Sequence, residues 1–385
     1  MRMQEQFDAF CGQTRTLGEL VRTQSDAIAA RTRLLLRMQD VYAVRQIILT
    51  GSGDSYFAAL AAAPALRAWT GLPVNAMVSM EASRYVDNGR PRLSGRNRGL
   101  LLIAISSSGE VARLVEAVQR LRTLGALTVA ITGDSHSRLG QSAESVLDIA
   151  IPPAGDGPGA RSYLASVLGI LHLGIRLAEM LMCMTMDQAD RLRRDLTRLN
   201  EPLTRLPALC IEPVAEFVRT WGSVFAVDCL GSGPSLASAC YAAAKLVEAA
   251  GLHATPQDVE EFHHLNYFVD DPHHVPAILF APSKALSRTR TRELIGTLPQ
   301  LGRPFLVITD AADFAPADRS LVLPEVNEFF APVLHAVPAT LLAAHAALRR
   351  GSAHFRGLTG PWRDAQGAVL VRDSTIESGT ERQPC

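Results

Sequence analysis

Lysine is nearly absent from this chain. Only Lys245 and Lys284 stand among the 38 basic residues of its 385, the rest being arginine. An arginine-favouring codon usage accounts for the bias, yet it sets the two lysines apart. Arginine cannot replace an amine that must lose a proton or act as a compact point charge. Net charge is absent too, since 38 acidic residues balance the basic ones. That balance gives no bulk attraction to nucleic acid or an anionic membrane, so any anion site must be local. No C-x-x-C pair occurs among Cys11, Cys183, Cys210, Cys229, Cys240 and Cys385. They read as reduced core thiols and not as a disulfide or zinc framework. The paired histidines His263-His264 and His273-His274 lie near Glu260 and Glu261 but offer no histidines spaced four apart; neither a metal nor a cofactor is expected.

Two further absences concern location. Met1-Arg2-Met3-Gln4-Glu5-Gln6-Phe7-Asp8 has no apolar core, so no signal peptide is predicted. The most apolar stretch, from Tyr163 to Met184, is broken by His172, Arg176 and Glu179 and reads as a buried or interface helix, not a membrane span. A soluble, cytoplasmic protein with no nucleic-acid or membrane partner is expected.

What the chain does have is one phrase used twice. Gly51-Ser52-Gly53-Asp54-Ser55 and Gly231-Ser232-Gly233-Pro234-Ser235 each follow an apolar run, Gln46 to Thr50 and Phe225 to Leu230. That placement makes each a strand-to-helix turn. Glycines let backbone approach a ligand, serine hydroxyls donate, and the helix N-terminus favours an anion.

The surrounding pattern alternates short apolar runs with amphipathic stretches. Strands are predicted near 46–51, 74–79, 99–106, 127–132 and 146–151, then near 223–230, 276–281, 304–309 and 320–323. Helices are predicted near 54–70, 110–124, 162–182, 234–250, 284–299 and 329–349. Continuously apolar strands such as Gly99 to Ile105 are buried on both faces, which predicts an α/β fold of two similar doubly wound, flavodoxin-like parallel-sheet domains. The expected division is a helical arm over 1–40, a first domain over 41–185, a connecting helix over 186–205, a second domain over 206–350 and a C-terminal tail over 351–385, extended or disordered from Asp373 to Cys385.

Three groups carry chemistry. Leu101 to Ile105 runs into Ser106-Ser107-Ser108-Gly109-Glu110, three hydroxyls at a strand's C-terminal end where open parallel sheets bind ligands. A helix cap needs one hydroxyl, not three. Lys245 and Glu248, three apart on the helix after the second turn, share a face. His264 follows sixteen residues later. A carboxylate, an ammonium and an imidazole near one pocket form a set for proton transfer.

These features resemble the tandem sugar isomerase (SIS) domains that bind phosphosugars, over roughly residues 45–350, and in particular the isomerase half of glutamine-dependent glucosamine-6-phosphate synthase. Lys245-Leu246-Val247-Glu248 and His264 reproduce that family's Lys-Leu-Lys-Glu and histidine spacing. The resemblance implies Glu248 as the base moving a proton between C1 and C2, His264 as the ring-opening group reaching over from a partner subunit, and hence a homodimer. It implies phosphate or substrate contacts at Ser52, Gly53, Asp54, Ser55, Ser106, Ser107, Ser108, Glu110 and Ser162. The chain departs from the pattern at Val111, where a threonine is usual, at Leu265-Asn266 in place of Gly-Pro, at Leu164 and in a tail without lysine. Residues 1–40 cannot form a glutaminase domain, so no glutamine amidotransferase activity is expected.

The resulting expectation is a phosphosugar isomerase, or an aminosugar-phosphate isomerase or deaminase, of amino sugar metabolism. One alternative is a deglycase of amino-acid sugar phosphates, whose Glu-Phe-Phe-His is approached by Glu261-Phe262-His263-His264. Another is a phosphosugar-binding sensor or regulatory subunit that has lost catalysis.

Overall fold

Apolar runs four to seven residues long suit strands covered on both faces. The computed structural model of the chain describes residues 3–86, 99–153, 157–354, 356 and 360–377. In chain order its elements are α1 (Met3–Arg15), α2 (Leu17–Arg33), α3 (Met38–Tyr42), β1 (Gln46–Gly51), α4 (Asp54–Thr70), β2 (Val74–Val78), β3 (Leu100–Ser106), α5 (Ala112–Thr123), β4 (Leu127–Thr132), α6 (Arg138–Ser142), β5 (Ser145–Asp148), α7 (Ala160–Met180) and α8 (Met186–Arg198). There follow α9 (Asn200–Arg219), β6 (Ala226–Leu230), α10 (Pro234–Lys245), β7 (His253–Gln257), β8 (Ala277–Phe280), α11 (Arg288–Thr297), β9 (Phe305–Thr309), β10 (Ser320–Val322), α12 (Ala331–Arg350), α13 (Gly360–Asp364) and α14 (Gly367–Asp373). Single π-helical turns lie at Glu81–Tyr85 and Leu246–Ala250.

The strands form two parallel five-stranded sheets, ordered β2-β1-β3-β4-β5 and β10-β9-β8-β6-β7. In each, the order reverses beside the first strand, as a doubly wound sheet requires. The expected α/β class with two parallel sheets is what the structure has. All seven residues of β3 are buried, and Ile48, Leu102, Ala104, Leu114 and Val118 form a core on one face of the first sheet. In the second, Leu230, Phe262, Leu279, Leu294 and Val307 do the same.

Several elements differ from the sequence reading, α6, α9 and β7 among them. β7 is a strand that residues His253-Ala254-Thr255-Pro256-Gln257 did not advertise; it lies at a sheet edge, where a proline is tolerated. α9 continues through Pro207 and Pro213, because its buried face (Leu203, Leu206, Cys210, Val214, Phe217) outweighs the two lost backbone donors.

The chain forms two compact units that interleave along the sequence. One comprises Arg22–Pro152, Ala165–Thr197 and Arg356–Cys385, the other Met1–Val21, Pro153–Leu164 and Arg198–Phe355. Residues 1–40 are therefore not a separate arm and 186–205 not a separate connector: Phe10 and Cys11 of α1 are buried in the second-sheet unit, where α1 packs on α9 and α12. The tail carries α13 and α14. From Ser374 to Glu377 it has neither helix nor strand, and it is nonetheless tied to the fold. Arg113 donates to Ser374 Oγ (3.3 Å) and to Thr375 O, while Glu377 N–H donates to buried Glu116 (2.9 Å). The expectation for 378–385 lies outside the described residues.

Helices Ala160–Met180 and Glu328–Arg350 are long and apolar enough to cross a membrane, but 89% of the apolar stretch in each is buried within the fold. They are core helices.

Each unit holds a buried histidine whose ring meets a serine hydroxyl. His172 Nε2 meets Ser25 Oγ at 2.8 Å, and His335 Nδ1 meets Ser238 Oγ at 2.9 Å. Burial pushes both imidazoles down to about 3. An unfolded histidine takes its proton near 6.5, so between those values the unfolded chain binds more protons. Stability from these two sites is complete above about pH 6.5 and is lost as pH falls toward 3. Urea unfolding should show a decline of about 1.4 kcal/mol per pH unit per histidine at its steepest. His172→Gln should flatten that slope by one proton's share.

Candidate functional site

In the first-sheet unit the reversal of strand order opens a crevice between the C-terminal ends of β1 and β3. The turn after β1 places Gly53 at φ 54° and ψ −129° as the N-cap of α4. Ser52 Oγ lies 2.7 Å from Ser79 Oγ at the end of β2. After β3, Ser106 Oγ accepts from Gly109 N–H (3.0 Å), and Ser108 Oγ accepts from Glu110 N–H (3.4 Å). Ser106 is buried, Ser107 and Ser108 are exposed, and Ser52, Asp54 and Ser55 are half-buried. Hydroxyls, glycines and two helix N-termini thus meet at one sheet edge, a combination suited to an oxyanion.

Two predicted residues make other bonds in the structure. Glu110 is committed to Arg138, whose Nε donates to its carboxylate (2.9 Å) and whose backbone N–H does too (3.1 Å); it braces the loop. Ser162 belongs to the second-sheet unit, where its hydroxyl donates to Gly159 O at 3.1 Å.

The second turn repeats the first in backbone and differs in surroundings. Gly233 has φ 57° and ψ −132°, within a few degrees of Gly53. Yet the loop after β8 is Ala281-Pro282-Ser283, and carboxylates stand around it. Asp310 accepts from Ser283 N–H (2.6 Å), and Glu328 Oε1 comes within 3.8 Å of where a Cβ on Gly233 would be. Burial raises the pKa of Glu328. A phosphate would meet like charge here.

The helix after this turn carries the amine. Lys245 is 1% exposed, its Nζ 2.5 Å from Glu248 Oε2 and 5.3 Å from the centre of the Tyr241 ring. Tyr241 in turn stacks on Tyr163 at 4.2 Å. Glu248 sits in the π-helical turn and keeps 46% of its side chain exposed. Such turns are frequent at functional sites because they push side chains off the regular spiral. A carboxylate open to solvent beside a buried cation can take up a proton while the cation balances negative charge on an enolate oxygen.

His264 is not brought to this pair within one chain. The chain steps from β6 to β7 and then back past β6 to β8, and right-handed crossovers put successive connections on opposite faces. The turn at 246–250 packs with α12, where Arg350 Nε reaches Ala250 O (3.3 Å). Val259 and Phe262 pack with Leu294, Ile295 and Leu298 of α11. The sheet therefore separates Glu248 from His264, and the expectation of one shared pocket fails for a single chain. His264 is 64% exposed and lies 3.6 Å from Glu260. His263 is tucked against Thr297 (3.3 Å), its pKa lowered by burial and by Arg290.

Sequence reasoning missed Asp228 and Arg303, a buried ion pair. The signal was there: an aspartate inside the apolar run Phe225 to Leu230 requires a partner.

The SIS domain model matches residues 40–170. Glutamine–fructose-6-phosphate aminotransferase (isomerizing) of Mycobacterium tuberculosis is 28% identical over 320 residues, 81% of this chain and 50% of that protein. The chain thus spans about half the length of the curated relatives it matches. Among solved structures, the C-terminal domain of glucosamine-fructose-6-phosphate aminotransferase from Francisella tularensis aligns with a TM-score of 0.74 at 18% identity, over 87% of this chain and 96% of that one. Glucosamine-6-phosphate deaminase from Thermotoga maritima gives 0.64 at 16%, over 89% and 97%. At these identities the structural likeness establishes the fold.

The serine loop depends on Gly109, which has φ 67° and where a Cβ would fall 1.9 Å from Ser137 Oγ. Gly53 has a similar φ but open space around it. Gly53→Ala should cost about 1–3 kcal/mol from conformation alone. Gly109→Ala adds overpacking of about 1–3 kcal/mol, and urea unfolding of the two variants should rank them in that order.

Proposed function

We propose that the chain is a sugar-phosphate isomerase, or the related aminosugar-phosphate isomerase or deaminase, that moves a proton between C1 and C2 of a ring-opened sugar phosphate. The observation that carries this reading is the half-exposed Glu248 carboxylate fixed 2.5 Å from the buried ammonium of Lys245. Glu248 removes a proton from one carbon, leaving an enediol or enolamine, and returns it to the neighbouring carbon. Lys245 balances the charge that develops on oxygen. His264 passes a proton to the ring oxygen as the sugar opens. Ser52, Ser55, Ser106, Ser107 and Ser108 bind the phosphate through hydroxyl and backbone donors. The names of relatives and structural neighbours contain fructose 6-phosphate and glucosamine 6-phosphate, which supports a hexose 6-phosphate as substrate.

The protein works as a homodimer in this reading. Glu248 and His264 lie on opposite faces of their sheet, and His264 is followed by exposed Leu265, Tyr267 and Phe268. A second copy covering that apolar segment would receive His264 at its own Glu248.

Two experiments test these assignments. In deuterated water with fructose 6-phosphate, the unchanged protein should place deuterium at C1, and Glu248→Gln should slow this about a thousandfold while binding stays nearly intact. Undiminished exchange in that variant refutes the mechanism, and saturable binding without exchange by the unchanged protein restores the sensor reading. Mixing Glu248→Gln with His264→Ala, each inactive alone, should recover about a quarter of full activity, since half the dimers are mixed and each has one intact site. A mixture that exchanges subunits yet stays inactive places both residues in one chain's site.

A further inference from the structure

The connection from Asp258 to Pro276 carries His264 but contains neither strand nor α-helix, only three short 3-10 turns at Glu261–His263, Asn266–Phe268 and Pro272–His274. Few regular backbone bonds hold such a segment, so its shape depends on partners elsewhere. One side chain supplies several of them. Arg303, fully buried just before β9, stands with its guanidinium 5.1 Å over the ring of Phe262, two residues before His264. Its Nη1 donates to Asn266 O at 3.2 Å, two residues after His264. Its Nε donates to Val275 O at 2.6 Å, where the connection reaches β8, and its Nη2 pairs with Asp228 on β6. The Asn266 side chain also bonds to Asp228.

We infer that Arg303 is a positioning residue for His264: one guanidinium grips the chain on both sides of that histidine and anchors it to β6 through Asp228. The inference rests on the functional reading above, in which His264 opens the sugar ring. It also gives a reason for Asn266 where the resembling family has proline, since the Asn266 side-chain amide bonds to Asp228 and proline has none to offer. A lysine cannot do the same work, because a single ammonium lacks the planar fork that reaches two carbonyls and a carboxylate while facing a ring.

The test separates ring opening from proton transfer. Fructose 6-phosphate closes to a furanose, whereas the analogue lacking the 5-hydroxyl cannot cyclise and needs no ring opening. Deuterium incorporation at C1 is measured on both substrates for the unchanged protein, Arg303→Lys and Phe262→Leu, with folding checked by circular dichroism. Both variants should lose about ten- to a hundredfold in kcat on fructose 6-phosphate with KM little changed, as expected for a misplaced catalytic group. On the analogue they should match the unchanged protein. A folded Arg303→Lys that loses both activities equally, or neither, overturns the inference. If that variant does not fold, Phe262→Leu decides by the same criterion. Absence of exchange by the unchanged protein on either substrate overturns the functional reading and this inference together. Selective dependence on His264 without selective loss in the two variants overturns this inference alone.

Discussion

A parallel strand pair obliges the chain to return across one face of the sheet before it can pair again, and the direction of the next step decides which face. Each sheet here steps one way and then reverses beside its first strand. Much of the candidate site's layout follows from that reversal. It opens the crevice at the ends of β1 and β3 where the serine loop lies. It also sends the turn bearing Glu248 to one face of the second sheet and the segment bearing His264 to the other. Lys245 and Glu248 make a local pair that helix spacing alone produces, whereas the place of His264 is a property of topology.

The same constraint explains how two turns of equal backbone come to sit in unequal surroundings. Gly53 and Gly233 share a conformation to within a few degrees, because strand, glycine and helix must make the same bend in each sheet. The loop across the crevice is under no such restriction. In the first sheet it offers Ser106, Ser107 and Ser108; in the second the space is shared by Pro282, Asp310 and Glu328. Backbone geometry makes an anion site possible, and the neighbouring side chains decide whether its charge is acceptable.

Legibility in the sequence followed the range of the interactions involved. β1, β3, β4, β8 and β9 were readable because each is a run of apolar residues buried on both sides, a property of the segment itself. β7 was not, since its edge position excuses the polar residues and Pro256 that hide it. α9 was hidden by two prolines whose cost is offset by a buried face invisible in one dimension. Ser106 to Ser108, Lys245 and Glu248 could be picked out by type and spacing. That Glu110 serves Arg138, that Glu328 stands near Gly233 and that Arg303 reaches Phe262, Asn266 and Val275 are long-range facts. Of these, only the lone aspartate in β6 left a local trace.

The interleaving of the two compact units bears on the order in which they can be completed. When the last strand of the first sheet has been synthesised, its unit still lacks Ala165–Thr197, and the segment that brings Thr375 to Arg113 and Glu377 to Glu116 comes only after the whole second sheet. The second-sheet unit in turn draws on α1, which precedes every strand of the first sheet. Neither unit corresponds to an uninterrupted stretch of gene. Although the fold repeats, no single cut in the chain releases either half intact.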